Sequence, residues 1–362
     1  MVGPKLTGIF CPHMVPLDEW GGIHEAELRR LVEWLIARGV HGLYPNGSSG
    51  EFTLFSPAER RRITEIVVDQ TRGRALVMAG ATEPTVDECL AACEHYKAIG
   101  CDCAAILPPY YFKMTQPNVR EYFRLLAKHS PLDLVLYNIP QYANEISIEV
   151  VRDLAELPRI IGIKDSSRDF ARYVNTMAAV RPVRPDFSFL IGCEEILVPS
   201  LIMGGDGGTL ATSGVVPELL VRMYEDTRAG RLDQAVRDQY SLLDLIREIV
   251  FGLAFPEGLR TALTVRGFAM GRPRQPLAPE CEPDVNRVRL AMARHLAALG
   301  CPLEGERGGE GEQQLPGWCS GVTAERGGSG MTADAPSDSS MEAIVRRVVG
   351  ELTARGRGGV TR

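Results

Sequence analysis

Apolar residues between positions 6 and 229 follow two alternating patterns. Short apolar runs of strand length are each followed by a longer segment in which apolar residues recur with the 3.6-residue period of an α-helix. Units of this kind, repeated along a chain, predict parallel strands joined by helices. The strand-like runs lie at residues 7–11, 42–45, 76–79, 103–107, 134–137, 160–163, 188–191 and 208–211, and the helix-like segments include 25–38, 58–71, 86–99, 119–129 and 148–157.

The number of strand-like runs bears on the fold class. Eight runs are the number that closes a (β/α)8 TIM barrel, in which the strands lie inside a ring of helices. A doubly wound open sheet is the competing architecture, but the count of eight favours the barrel. We therefore predict an α/β barrel domain over residues 1–230.

The pattern changes twice beyond the predicted barrel. Residues 231–303 have mostly helical periodicity and no strand-like run, which predicts a C-terminal helical subdomain. Residues 304–338 are rich in Gly, Glu, Ser and Thr and cannot bury enough surface to offset the entropy of ordering, so we predict a flexible linker. Residues 339–355 predict an amphipathic helix, whose apolar stripe consists of Met341, Ile344, Val345, Val348, Val349 and Leu352.

Composition limits the classes of function. A hydrophobic fraction of 45% in 362 residues is enough for a large core, and a net charge of -6 argues against binding to nucleic acid. No stretch approaches the roughly 20 apolar residues of a membrane span, and residues 1–12 lack the features of a secretory signal. The nine cysteines include no CxxC pair, so we expect reduced, buried thiols in a cytoplasmic protein without a metal site.

Polar groups suited to chemistry stand at the ends of predicted strands, which is where a barrel places its reacting groups. The segment Gly47-Ser48-Ser49-Gly50-Glu51 combines exposed backbone N–H groups with two hydroxyls, and such a loop suits a carboxylate or a phosphate. An ordinary Gly/Ser turn is the alternative. Tyr137 ends another run, where it can relay a proton or simply pack as an aromatic residue.

A lysine ends the apolar run at 160–163. Lys164 is unusual there, because a lysine rarely ends a wholly apolar strand unless it forms an ion pair or has a functional role. As a neutral amine it can attack a carbonyl carbon and form an imine. A salt bridge with Asp165 or another carboxylate is the structural alternative, and the residue types alone leave both interpretations open.

Five motifs stand in order along the chain, namely GSSGE at 47–51, PPYY at 108–111, YNIP at 137–140, GIKDSS at 162–167 and GGDGG at 204–208. Together they make residues 5–299 resemble the family of dihydrodipicolinate synthase and N-acetylneuraminate lyase. The resemblance implies a class I aldolase or lyase on a (β/α)8 barrel, without a metal or another cofactor. It also implies a homo-oligomer, commonly a tetramer built from dimers, that acts on small molecules.

The resemblance assigns catalytic roles to three residues by their positions in the motifs. Lys164 takes the place of the lysine that forms a Schiff base with a 2-keto acid such as pyruvate. Tyr137 takes the place of the tyrosine that shuttles protons. Tyr111 corresponds to a tyrosine that in many relatives reaches into the site of the neighbouring subunit.

Substrate-binding positions follow from the same motifs. Ser48 and Ser49, supported by backbone N–H groups of the loop that begins at Gly47, correspond to the hydroxyl pair beside the keto-acid carboxylate. Thr209, directly after GGDGG, is a further candidate for substrate binding.

Departures from the motifs bear on the second substrate. Dihydrodipicolinate synthases carry an arginine after YNxP that holds the second substrate's carboxylate, whereas residues 141–144 here are Gln-Tyr-Ala-Asn. The segment that contains Glu194 and Glu195 resembles the lyase branch of the family, in which acidic residues at this place bind sugar hydroxyls. The alternative is that the two residues begin a helix, a position at which acidic residues are favoured. We expect a lyase acting on a hydroxylated 2-keto-3-deoxy acid. A dehydratase or hydratase–aldolase with the same imine, and a catalytically silent barrel that binds a metabolite, are the alternatives.

The C-terminal segment resembles a different kind of motif. A Gly-rich linker followed by a short amphipathic helix is similar to the encapsulation peptides that recruit enzymes into bacterial microcompartments. A helix this short is not stable alone and needs a surface on which its apolar face can dock. We therefore expect residues 339–355 to bind a shell protein. Arg346, Arg347 and Arg355 leave a membrane surface as one alternative, and packing on the enzyme's own barrel is another.

Overall fold

The computed structural model describes residues 5–300. Eight parallel strands pair in chain order, and the last strand pairs back onto the first, so the sheet is a closed barrel. The predicted (β/α)8 barrel is confirmed, and the open doubly wound sheet is wrong. The strands are β1 Gly8–Cys11, β2 Gly42–Leu43, β3 Leu76–Gly80, β4 Cys103–Ile106, β5 Asp133–Asn138, β6 Ile160–Asp165, β7 Ser188–Ile191 and β8 Gly207–Thr209.

A helix follows each strand. These helices are α1 Glu25–Ala37, α2 Pro57–Thr71, α3 Val86–Ile99, α4 Gln116–His129, α5 Ile148–Ala155, α6 Phe170–Val180, α7 Leu197–Ile202 and α8 Pro217–Arg228. Helix α4 begins before residue 119, where the apolar period predicted its start. Pro117 stands in its first turn, where the missing N–H costs no hydrogen bond.

Up to residue 300, three further α-helices follow the barrel, namely α9 Leu232–Ile249, α10 Glu257–Val265 and α11 Glu282–Leu299. Helix α9 packs against α8, and α11 packs against both α9 and α10. No helix within residues 5–300 has the length and apolar character that crossing a membrane requires. The predicted linker at 304–338 and helix at 339–355 lie outside the described residues, so both stay predictions.

Strand side chains alternate between two apolar layers, because successive residues of a strand point to opposite faces. Phe10 and Val135 belong to the layer that fills the barrel, whereas Ile9 and Leu136 belong to the layer between the strands and the helices. The barrel is therefore a packed core, and its polar groups are confined to the strand ends and the loops beyond them.

Strand β6 interrupts this alternation with one extra residue. Leu134 pairs with Ile160, but the next residue, Val135, pairs with Gly162, which leaves Ile161 as the extra residue of a β-bulge. Every later residue of β6 consequently faces the opposite side from the one that strict alternation would give it. The lysine near the end of β6 thereby faces the barrel interior.

Candidate active site

Lys164 and Tyr137 lie side by side near the carboxyl ends of β6 and β5, where they are register partners. Both are buried, with 4% of Lys164 and 2% of Tyr137 exposed. Lys164 Nζ is 4.0 Å from the centroid of the Tyr137 ring and 4.9 Å from that of the Tyr44 ring. The amine thus stands between two aromatic rings at the end of the barrel where the family's chemistry is expected.

The carboxylate that follows Lys164 in the chain is not its partner. Asp165 Oδ2 accepts hydrogen bonds from Arg172 Nη1 and from Asn138 Nδ2, the latter at 3.2 Å. Within residues 5–300, no carboxylate lies in salt-bridge distance of Lys164 Nζ, and Asp165 is paired with Arg172. The structural alternative for Lys164, a salt bridge with Asp165, is therefore wrong.

The Tyr137 hydroxyl connects the lysine to the loop after β2. It lies 3.2 Å from Ser48 Oγ, so the two hydroxyls share a hydrogen bond. Tyr44 packs edge-on against Tyr137, with ring centroids 6.2 Å apart. Burial raises the pKa of Tyr44 well above its ordinary value, and the neighbouring Tyr137 raises it further, so Tyr44 is protonated at neutral pH. Sequence reasoning missed Tyr44, whose signal was an aromatic residue in the apolar run at 42–45, three positions before Gly47.

The loop at residues 47–51, here named the hydroxyl loop, is tightly packed. A side chain at Gly47 would crowd the Tyr44 ring, because an added Cβ would lie 3.0 Å from Tyr44 Cε1. An added Cβ at Gly50 would lie 3.1 Å from the carbonyl oxygen of His13. Ser49 is buried. Such packing holds the backbone of the loop and the Ser48 hydroxyl beside Tyr137.

Thr209 brings another hydroxyl to the barrel. It is the last residue of β8 and the register partner of Phe10, whose ring fills the barrel interior. Its Oγ1 is buried and has no hydrogen-bond partner within residues 5–300. Since an unpaired buried hydroxyl is costly, this atom is suited to a ligand that supplies the missing bond.

Glu194 is engaged by the protein itself. Its Oε1 accepts hydrogen bonds from the backbone N of Thr212 at 2.9 Å and from Thr212 Oγ1 at 3.3 Å. Burial raises the pKa of Glu194 above its ordinary value. Glu195 is only partly buried, and both residues begin a short 3₁₀ helix after β7, as the simpler interpretation of this pair expected.

The described residues contain no group of three His, Cys, Asp or Glu side chains that could hold a metal ion.

Tyr111 does not join the buried group. It is 86% exposed and packs edge-on against Phe112, with ring centroids 4.9 Å apart. The structure therefore brings Lys164, Tyr137 and Ser48 together within one protomer and leaves Tyr111 facing outward.

The sequence also matches a family model. The model described as the dihydrodipicolinate synthetase family matches residues 5–294. The chain belongs to this family. Because the match spans the whole barrel, α9, α10 and most of α11, membership applies to the unit that carries Lys164, Tyr137 and the hydroxyl loop.

Individual relatives agree with this family. The 4-hydroxy-tetrahydrodipicolinate synthase of Methanopyrus kandleri is 33% identical, over 84% of this chain and 100% of its own. An uncharacterized DapA-like lyase of Pyrococcus horikoshii is 32% identical, over 73% of this chain and 91% of its own. YagE, a prophage protein of the dihydrodipicolinic acid synthase family from E. coli K12 solved in complex with pyruvate, is 26% identical. It superposes with a TM-score of 0.76 over 82% of this chain and 99% of its own. The chain is thus a lyase of this family.

Proposed function

We propose that this chain is a class I aldolase or lyase that forms a Schiff base between Lys164 and a 2-keto acid such as pyruvate. The observation that carries the proposal is the buried amine itself. Lys164 Nζ lies 4.0 Å from the Tyr137 ring centroid, and within residues 5–300 no carboxylate neutralises it. Family membership and the pyruvate bound to YagE support a 2-keto acid as the ligand.

In the proposed mechanism the imine serves as the electron sink. Lys164 Nζ attacks the C2 carbonyl carbon, and water leaves as the protonated imine forms. A base then takes the proton of the C4 hydroxyl, the C3–C4 bond breaks, and its electron pair moves towards the imine nitrogen. An aldehyde leaves, and an enamine remains. Protonation at C3 and hydrolysis of the imine release pyruvate and restore the amine.

Proton transfer is assigned to Tyr137. Its hydroxyl shares a hydrogen bond with Ser48 Oγ at 3.2 Å, which gives a transferred proton a path away from the reacting atoms. In the condensation direction the same hydroxyl returns the proton to the new C4 oxygen. Tyr44, held protonated by burial, packs beside the pair and completes the aromatic wall around the amine.

Substrate orientation is assigned to the hydroxyl loop and to β8. The backbone of the loop from Gly47, with the hydroxyls of Ser48 and Ser49, would hold the keto-acid carboxylate and thereby fix the direction of attack. The hydroxyl of Thr209, which has no hydrogen-bond partner in the described part of the chain, would donate to the same carboxylate. Tyr111, 86% exposed in one protomer, would reach the site of a neighbour in a homo-oligomer, which we propose to be a tetramer.

The substrate class we propose is a hydroxylated 2-keto-3-deoxy acid, cleaved to pyruvate and an aldehyde. Residues 141–144 offer no arginine for a second carboxylate. Glu195, with no hydrogen bond from Thr212, is a better acceptor for substrate hydroxyls than Glu194, whose Oε1 already accepts two. A dehydratase that uses the same imine would release water in place of an aldehyde, so product analysis separates the two reactions.

Borohydride trapping tests the imine directly. The protein is incubated with pyruvate, reduced, digested and analysed by mass spectrometry. We expect a reduced pyruvyl adduct on Lys164 that is absent in Lys164→Ala and retained in Lys128→Ala, which removes an exposed lysine of α4. If the folded protein yields no adduct with pyruvate or with a panel of other 2-keto acids, the silent metabolite-binding barrel becomes the better proposal.

We also propose that residues 339–355 direct the enzyme into a bacterial microcompartment. The proposal rests on the apolar stripe of this segment and on the Gly-rich linker before it. A fluorescent protein fused to residues 337–362 should co-purify with shell proteins of the same organism. The proposal fails if the full enzyme is retained with the shell while the fusion stays unbound.

A further inference from the structure

Directly after the reacting pair, polar side chains tie β5 and β6 together. Asn138 follows Tyr137, and Asp165 follows Lys164. These two following residues are register partners, and Asn138 Nδ2 donates to Asp165 Oδ2 at 3.2 Å. Arg172 Nη1, from α6, donates to the same oxygen. Asn138, Asp165 and Arg172 together form what we name the outer clamp.

The outer clamp is buried and anchored at both ends. Asn138 is 0% and Asp165 1% exposed, and the Arg172 side chain is 9% exposed. Asp165 Oδ1 accepts from the backbone N of Ser167 at 2.9 Å, and Asn138 Oδ1 accepts from the backbone N of Ile146 at 3.0 Å. A buried network with its hydrogen bonds made resists displacement, because moving one member leaves several polar atoms unpaired.

Charge is balanced within this network. Asp165 is the carboxylate adjacent to Lys164 in the chain, and the guanidinium of Arg172 neutralises it. Glu145, a half-exposed residue, accepts from Arg172 Nε at 2.9 Å. Tyr173 packs nearby, and burial raises its pKa far above the ordinary range, with the charges of acidic neighbours adding to the rise, so it carries no charge.

On the barrel side, Lys164 Nζ faces the rings of Tyr44 and Tyr137, and no carboxylate of residues 5–300 lies within salt-bridge distance of it. Asp165, the next residue of β6, places its carboxylate and the guanidinium of its partner Arg172 on the outer face of the same strand. A carboxylate without its cation, placed near an amine, favours the charged form of that amine.

We propose that the outer clamp holds Lys164 and Tyr137 at a fixed separation and cancels a carboxylate that would otherwise stabilise the ammonium form of Lys164. The three residues of the outer clamp are positioning residues. They act on Lys164 and Tyr137 through the ends of β5 and β6, from the face of the strands that is turned away from the barrel interior. The inference rests on the proposed function, because an ammonium group cannot attack a carbonyl carbon.

The test is the pH dependence of borohydride trapping with pyruvate. Arg172→Gln leaves Asp165 uncancelled, so its trapping profile should move about one pH unit to the alkaline side, with trapping roughly tenfold slower at pH 7. Asp165→Asn leaves Arg172 without its nearest carboxylate, so its profile should move to the acidic side. The double variant should return towards the wild-type midpoint. Opposite shifts are an electrostatic signature that a merely structural role would not produce.

Two further variants complete the experiment. Arg172→Lys keeps the charge and should keep the midpoint. Arg120→Gln, which breaks the half-exposed pair with Asp153, should leave the whole profile unchanged. If circular dichroism shows that Arg172→Gln does not fold, the test rests on the other two variants. Asp165→Asn should then still move the midpoint to the acidic side, and Arg172→Lys should keep it.

The inference is overturned if Arg172→Gln and Asp165→Asn keep the wild-type midpoint or move it in the same direction. A wild type that gives no adduct at any pH overturns the proposed function as well, so the two failures are distinguishable.

Discussion

Glu51 of the hydroxyl loop and Arg260 of α10 form a buried ion pair although 209 positions separate them in the chain. Arg260 also donates to the carbonyl oxygen of Met270 at 2.9 Å and lies 3.4 Å from the carboxylate of Glu257. The helices after the barrel therefore hold the loop to which we assign the substrate carboxylate.

Arg260→Gln tests this coupling. The substitution leaves Glu51 buried without its cation, so we expect the free energy of unfolding to fall by about 3 kcal/mol, measured by urea titration. The loosened loop should raise KM more than it lowers kcat. Arg247→Gln is the control, because Arg247 pairs with Asp244 on the exposed surface of α9. This substitution should leave the free energy of unfolding, KM and kcat unchanged. Equal behaviour of the two variants would contradict a role for Arg260 in holding the loop.

Two threonines offer a matched pair of substitutions. Thr209→Val removes a buried hydroxyl that has no partner within residues 5–300, so the folded protein should lose no stability. Its KM for the keto acid should rise roughly tenfold, because the lost bond is one to a charged carboxylate. Thr212→Val removes a hydroxyl that donates to Glu194, so it should cost about 1–2 kcal/mol of stability. Urea titration and steady-state kinetics measure both, and a destabilised Thr209→Val with an unchanged KM would refute the assignment.

His13 predicts how stability depends on pH. Burial lowers the pKa of His13 from 6.5 to about 4, against the opposing effect of its hydrogen bond to Met14. The ring is neutral and donates from Nδ1 to the carbonyl oxygen of Met14 at 2.9 Å. Between pH 6.5 and about 4 the unfolded chain binds a proton at this residue that the folded chain does not, so folding stability falls as the pH drops through this window.

The expected size of this effect is about 2 kcal/mol between pH 7 and pH 5. Urea titrations at the two pH values measure it, and His13→Gln should reduce the loss by that amount. His129→Gln, which changes an exposed residue at the end of α4, should keep the full loss. If both variants lose as much stability as the wild type, His13 is not the group responsible.

The fold was predictable from the sequence because its signals are local. Each strand of the barrel coincides with an apolar run, and α3 has the bounds that its apolar period predicted. Lys164 and Tyr137 were candidates because they lie at strand ends, and parallel strands bring their carboxyl ends together. Their catalytic roles were predicted only from the resemblance of their motifs to those of the family.

The features of the site that the sequence did not predict are those that depend on packing between segments distant in the chain. The sequence offered Asp165 as a partner for Lys164, but the position of α6 gives Asp165 to Arg172. Nothing near Glu51 in the chain indicates Arg260, since the pair exists only after α10 has docked. The hydroxyl of Thr209 was a candidate, but only the closed barrel reveals that it lacks a hydrogen-bond partner among residues 5–300.

The bulge at Ile161 matters for protein engineering. Lys164 reaches the barrel interior because β6 carries one extra residue before it. A perfectly regular strand of the same sequence would present the carboxylate of Asp165 to the ligand and turn the lysine towards the surrounding helices. An engineer who grafts this amine onto another scaffold must therefore copy the strand's irregularity along with the lysine, or move the lysine by one position to compensate.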